Sequence, residues 1–448
     1  MAGNPMITGR PGKTLFFFAL PIILGNLFQQ FYNMADTIIV GRFVGENALA
    51  AVGASYSYTN VFIMIAIGGG MGASVLTSQY LGAGAYGNMR TSIYTALFAF
   101  LGLSLALTLF GFAMNPAIMQ ALNTPENIYD DAMLYLQIYF AGLPFLFMYN
   151  ILSSVFNALG KSRIPLGLLI FSSLLNVFLD LWMVIQWKLG VAGVAIATVI
   201  AQGLSAVISF LILMKVLRSY PKGGEGSGLF NCSMLVRGTK IAVPSIVQQS
   251  IVSIGMLLVQ SVVNSFGSSV LAGYSAGTRV ESVCIVPMIA TGNAVSTFTA
   301  QNLGAGQRER VKKGLYSGYL MVGAFAVIIA LLIFFFHDGI VGAFMDSQSG
   351  LEAFRTGNAY VTFIGWFFVL IGLKASTDGV LRGAGDVGVY MAANLANLAI
   401  RVIVANLCAP IWGIEAVWYA VPMGWAVNFL ISFSWYLTGR WKRKKLIA

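Results

Sequence analysis

The chain reads as long apolar runs separated by short stretches of Gly, Pro and charge. The runs do not alternate, and a transmembrane β-barrel would show a period of two. An apolar run of about 20 residues spans a bilayer as a helix. The pattern predicts twelve helices, at 14–40, 48–78, 89–114, 128–158, 164–187, 191–217, 237–265, 271–301, 311–336, 354–382, 387–410 and 414–439. Several are longer than a bilayer requires, so tilt, kinks or extension beyond the hydrocarbon are expected. The first dozen residues are polar and basic. The run that follows, "KTLFFFALPIILGNLFQQFYNMADTIIV", is too long for a signal-peptide core and lacks a clear cleavage site, so the first helix is expected to be retained.

Composition agrees with the pattern. Hydrophobic residues make up 58% of the 448, charged residues only 9%, and mean hydropathy is +0.81, whereas a soluble domain carries about 25% charged residues. The expected fold class is an all-α polytopic membrane protein. Charge then sets the orientation. With the N-terminus in the cytoplasm, the cytoplasmic segments hold 20 Lys and Arg, and the outer loops hold three: Arg42, Lys188 and Arg355. That asymmetry is a positive-inside signal and predicts both termini in the cytoplasm of a multi-pass cell-membrane protein. The net charge of +11 is thereby a topology device rather than a nucleic-acid surface. The basic tail "GRWKRKK" reads as a stop-transfer flank that touches anionic lipid.

The two halves look alike. "FALPIIL", with Pro21, is matched by "IAVPSIV", with Pro244; "SQYLGAG" (78–84) by "AQNLGAG" (300–306); and "LGVAGVAIA" (189–197) by "WGIEAVWYA" (412–420). The matches fall in order at a nearly constant offset. Six helices per half make the repeats parallel, related by a pseudo-two-fold axis along the membrane normal, and transporter repeats usually place substrate at their interface. The stretch "YPKGGEGSGLFNCS" is Gly-rich and polar and reads as a flexible linker. The expected organisation is an N-terminal lobe at 1–219, a cytoplasmic linker at 220–235, and a C-terminal lobe with its basic tail at 236–448.

Little here suits an enzyme. Cys232, Cys284 and Cys408 have no metal spacing, and His337 is the only histidine. "GKT" (12–14) and "GKS" (160–162) resemble the end of a phosphate-binding loop, but the Gly required five residues earlier is Ile7 in one and Val155 in the other. No organic cofactor is expected.

"NMADTIIVGR", "SQYLGAG", "NALGKSRIPL", "NVFLD" and "VLRGAGD" resemble the MATE (multidrug and toxic compound extrusion) family, in its DinF-like branch, over nearly the whole chain. The resemblance implies a V of two six-helix lobes, and the chain is expected to function as a monomer. It implies export of small amphipathic, often cationic compounds driven by entry of H⁺ or Na⁺, and a coupling-ion site in the N-terminal lobe. The family pattern for that site matches Asp36, Asn176, Asp180 and Thr198, with Tyr135 nearby. Pro21 matches the proline at which the first helix bends. Some relatives carry an acidic residue on the seventh helix, where this chain has only Gln248, Gln249 and Gln260.

Depth along the predicted helices agrees with that set. Counting from the outer helix ends at about 1.5 Å per residue, Asp36, Asp180, Tyr135 and Thr198 all lie roughly 8–11 Å below the outer boundary. Asn176 is one turn deeper than Asp180 on the same face. Two carboxylates, an amide and a hydroxyl form a hard-oxygen set suited to a hard cation such as Na⁺. The pair can equally hold a proton, titrating as a unit. Intramembrane acids are costly and are functional by default.

The second half has charges of its own. Glu281 and Arg401 lie at similar depth and could pair. Lys374, Asp378 and Arg382 form an i,i+4 ladder, read mainly as compensated charges that help close one helix face. For substrate contacts, Gln29, Tyr32, Met34, Tyr56, Met64, Met256 and Met288 offer adaptable and aromatic surfaces, although such residues commonly only pack helices. A flippase of lipid-linked oligosaccharide stays open on Arg279, Lys374 and Arg401, which could hold diphosphate. A passive channel also stays open.

Overall fold

The computed structural model describes residues 4–121, 124–221, 228–345 and 350–443, apart from the side chains of Glu46, Ser57, Ala121, Val252, Met256 and Arg443. Most of the Gly-rich stretch of the predicted linker (222–227) and the last basic residues, Lys444 and Lys445, lie outside it. Every regular element among the described residues is helical.

In chain order these are α1 (Pro5–Thr8), α2 (Pro11–Ile39), continued by a π-helical turn (Val40–Val44), α3 (Glu46–Gly82), α4 (Tyr86–Ala121) and α5 (Glu126–Ala158). Next come α6 (Arg163–Leu181), continued by a second π-helical turn (Trp182–Gln186), α7 (Gly190–Arg218), α8 (Cys232–Asn264), α9 (Ser268–Cys284) and α10 (Val286–Gly304). The chain ends with α11 (Arg308–Gly342), α12 (Leu351–Gly365), α13 (Phe368–Gly383), α14 (Val387–Trp412), α15 (Glu415–Leu437) and a 3₁₀ turn (Arg440–Arg443). Among the described residues, eleven spans are long and apolar enough to cross a membrane. The pair α12/α13, bent by 52°, makes a twelfth.

The expected twelve segments are therefore present, and their extra length is used in the ways a long span allows. α9 and α10 form one span broken at Ile285, where Pro287 opens the second piece. α12 and α13 break at Trp366–Phe367. α4 runs to Ala121, past the apolar window that located it, and α11 reaches Gly342 across a kink at Phe336 (φ −128°, ψ 16°), where the predicted helix ended. α2 continues through the buried Pro21.

Equivalent helices end alike. Gly84 (φ 70°) and Gly306 (φ 72°) close α3 and α10, and Gly160 (φ 74°) and Gly385 (φ 77°) follow α5 and α13. Each stands just beyond a helix C-terminus in the left-handed conformation, which glycine adopts without a Cβ penalty.

Contacts divide the chain into two compact units. The N-terminal unit is Leu24–Ile246, and the C-terminal unit is Met1–Ile23 together with Val247–Ala448. α2 and α8 are thus each shared. Hydrogen bonds on the lead-in segments explain why. Within the C-terminal unit, the Asn4 amide donates to Gln301 Oε1 (2.9 Å), and the Asn302 amide donates to the Met6 carbonyl (3.0 Å). Arg310 donates to the carbonyls of Met6 and Gly9. Within the N-terminal unit, Arg90 donates to the carbonyls of Leu217, Tyr220 and Pro221 at the end of α7. Thr91 Oγ1 donates to the Gly228 carbonyl, and the Asn231 N–H donates to Thr95 Oγ1. In both cases carbonyls at or beyond helix ends find partners on the unit that holds them.

Small residues set the closest helix approaches, as expected where apolar solvent gives no hydrophobic drive. In the N-terminal unit a Cβ at Gly72 would strike the Gly238 carbonyl. In the C-terminal unit a Cβ at Gly379 would strike the Gly292 carbonyl, so α13 lies backbone to backbone with α10.

Candidate cation site

The N-terminal unit gathers five polar side chains from α2, α6 and α7. Asp36 lies one turn after Tyr32 on α2, and Asn176 lies one turn before Asp180 on α6, so each pair shares a helix face. The Asp36 and Asp180 carboxyls are near enough to act on each other electrostatically. Asp180 is 0% exposed and Asn176 2%. The Tyr32 hydroxyl donates to the Asn176 side chain, and the Asn176 amide donates to Thr198 Oγ1 at 3.3 Å. With the Asn176 amide turned end for end, its nitrogen donates to Asp180 Oδ2 at 3.2 Å and its oxygen accepts from the Thr198 N–H at 3.1 Å. Both rotamers tie Asn176 to Thr198, and the turned one completes the bond to Asp180.

Asp36 Oδ1 and Asp180 Oδ1 are buried and have no hydrogen-bond partner among the described residues. Two carboxylates this close and this dry repel strongly unless a proton or a cation lies between them. Val40, Ala48, Val184, Val191 and Val194 form a small apolar cluster beside the site, built largely from the two π-helical turns and the start of α7, and Tyr135 packs against it. Tyr135 also feels both carboxylates electrostatically. Together with Thr198 it lines a cleft between α5 and α7 that continues past Tyr139, Leu146 and Gln202. The hard-oxygen set read from the sequence is thus brought together within one unit. Tyr32, read there only as a substrate contact, is a member of it.

A model of the MatE family matches residues 21–182 and, a second time, residues 244–407. The chain belongs to the MatE family. The two matches begin at Pro21 and Pro244, the prolines that mark the internal repeat. The chain is 28% identical over 443 residues to the probable multidrug resistance protein YpnP of Bacillus subtilis (strain 168), covering 97% of each. It is 23% identical to the probable multidrug resistance protein NorM of Thermotoga maritima, covering 97% of this chain and 94% of that one. In fold it is similar to a MOP superfamily transporter from Pyrococcus furiosus, with a TM-score of 0.91 at 20% identity and 99% of both chains covered. The first two are named as probable multidrug resistance proteins and the third as a transporter, and the MatE chain is not an enzyme.

The C-terminal unit of this MatE protein treats its charges differently. Lys374 Nζ lies 3.5 Å from Asp378 Oδ2, the expected first rung of the α13 ladder. Arg382, expected as the second rung, donates to Asn293 Oδ1 (2.8 Å) and Ser296 Oγ (3.2 Å) on α10. Glu281 accepts a 2.5 Å hydrogen bond from the Tyr360 hydroxyl, with Arg401 near enough to act on it electrostatically but no ion pair between them within 4 Å. Gln248 on α8 accepts from the Tyr390 hydroxyl at 2.8 Å.

The residues read as substrate contacts separate by exposure. Met34 and Tyr56 are exposed, Gln29 is half-buried and donates to Asn33, and Met64 is half-buried. Met288 is fully buried in the apolar core of the C-terminal unit against Gly372, where it packs helices. The Met256 side chain lies outside the described part.

Proposed function

We propose that the protein exports small amphipathic, often cationic molecules from the cell in exchange for an entering cation, H⁺ or Na⁺. The observation that carries this reading is the Asp36–Asp180 pair, each carboxyl keeping one buried oxygen without a protein partner. Such a pair is expensive in a membrane unless an exchangeable cation compensates it. Asn176 and Thr198 supply further oxygens, and Tyr32 and Tyr135 hold and enclose the set. The ion is cargo, carried in and released, so its site needs affinity that changes between conformations. The names of the relatives, multidrug resistance proteins, support the substrate class.

In this reading the chain works as a monomer in the plasma membrane, both termini cytoplasmic, with two six-helix halves at 1–219 and 236–448 joined by 220–235. Alternating access follows ion occupancy, with α2 transmitting it through Pro21, where a backbone hydrogen bond is missing. Gln29, Met34 and Tyr56 are the candidate substrate contacts. The α8 sequence carries no carboxylate, so coupling through an acidic residue on that helix is not part of this reading. Of the three cations that would hold a diphosphate, Lys374 is already engaged by Asp378, which favours the exporter over the flippase.

The test is drug–cation antiport in proteoliposomes, with a Na⁺ gradient and a pH gradient imposed separately. One of the two is expected to drive uphill drug movement, and Asp36→Asn is expected to abolish it at normal protein levels. Undiminished efflux by that variant would reject the coupling role, and drug movement that needs only the drug's own gradient would make the protein a channel.

A further inference from the structure

The C-terminal unit contains a second buried oxygen cage, and its contents differ from those of the first. Asp378 is 3% exposed, Asn394 3% and Ser432 0%. They come from α13, α14 and α15. Ser432 Oγ donates to Asp378 Oδ1 at 2.6 Å, and the Asn394 amide donates to Asp378 Oδ2 at 3.2 Å. A carboxylate, an amide and a hydroxyl therefore converge here as Asp180, Asn176 and Thr198 do in the N-terminal unit. The difference is Lys374. Its ammonium donates to Asn394 Oδ1 at 2.9 Å and lies 3.5 Å from Asp378 Oδ2.

We propose that Lys374 is a built-in cation: its ammonium fills an oxygen cage of the kind that takes a coupling ion in the N-terminal unit, so the chain carries one exchangeable cation rather than two. The inference rests on the coupling role given above to Asp36 and Asp180. An ammonium is close in size to K⁺ or Rb⁺ and presents its charge to the same oxygens. Tethered by four methylenes to the turn before Asp378, it cannot leave. The partner lists of the two cages agree. In the first, each carboxyl keeps a buried oxygen with no partner; in the second, both oxygens of Asp378 are bonded. Backbone contact between α13 and α10 at Gly379 and Gly292 fixes the helix that carries Lys374 and Asp378. The buried carboxylate cannot stand unpaired, so at alkaline pH, where protons are scarce, removing the ammonium obliges it to take a free cation.

Equilibrium binding of radiolabelled Na⁺ and Rb⁺ to the purified full-length protein in nanodiscs, at alkaline pH, tests this. Asp378→Asn is expected to leave binding to the otherwise unchanged protein as it was. Lys374→Ala is expected to add one bound Rb⁺ or Na⁺ per chain, which Lys374→Ala with Asp378→Asn loses again. Loss of one ion per chain in Asp378→Asn alone would overturn the proposal, because the cage would then take a free ion with Lys374 in place. So would a well-folded Lys374→Ala protein that gains none. Should Lys374→Ala fail to fold, Asp378→Asn decides by itself. Asp36→Asn in the Lys374→Ala background is expected to keep the added ion. If Asp36→Asn leaves the original binding intact, the coupling role of Asp36 fails, while the added ion still reports on Lys374.

Discussion

Asp36 and Asp180 were legible from the sequence because a carboxylate inside an apolar run is rare and expensive. Asn176 came with the family resemblance, and its spacing, one turn from Asp180 on a common face, agrees with it. Tyr32 has the same spacing from Asp36, and that was the available signal for its place in the site. A tyrosine costs little in a membrane, so its presence alone does not point to a site. Asn394 and Ser432 gave no signal at all, since their meeting with Asp378 depends on how three helices pack. Asn176 yields a prediction at this scale. A hydrogen bond to a charged group contributes about 1.5–3 kcal/mol, and about 1.4 kcal/mol is tenfold in affinity. Asn176→Ala is therefore expected to raise the Na⁺ or H⁺ concentration for half-maximal efflux by roughly tenfold or more. An unchanged ion dependence would place the ion elsewhere.

The helices themselves were legible to within a few residues at most ends, because apolar length is the dominant signal in a bilayer. The internal breaks were not. Pro287 marks the one at Ile285, whereas the 52° bend at Trp366–Phe367 has only Gly365 before it, one of many glycines in the chain. Nor does the sequence distinguish a glycine that admits a neighbouring backbone from one that faces open space. Gly379 is of the first kind and Gly102 of the second. Gly379→Leu must push α13 away from the Gly292 carbonyl, and overpacking of this sort costs about 1–3 kcal/mol or more. A lower melting temperature of the purified protein is expected, with Gly102→Ala unchanged as the control. An unaltered melting curve for Gly379→Leu would show that α10 and α13 can separate freely.

At the scale of the whole molecule, the repeat was legible in Pro21 and Pro244, and both family matches begin there. The two compact units divide just beyond these prolines, after Ile23 and after Ile246. The sequence could not show this, because the division depends on which unit holds each lead-in segment. Charge asymmetry supplies the remaining whole-molecule expectation, the orientation, and the proposed mechanism depends on it. An entering ion must reach Asp36 from outside, so the π-helical turn at Val40–Val44 must lie at the outer face and the start of α11 at the inner one. Arg355 and Lys313 are exposed and stand on opposite sides of this scheme. In a protein whose Cys232, Cys284 and Cys408 have been replaced by Ser, Arg355→Cys is expected to react with a membrane-impermeant maleimide in intact cells. Lys313→Cys is expected to react only after permeabilisation. The reverse pattern would put Asp36 near the cytoplasmic face, where the inward ion gradient cannot load it, and efflux coupled through that residue would be excluded.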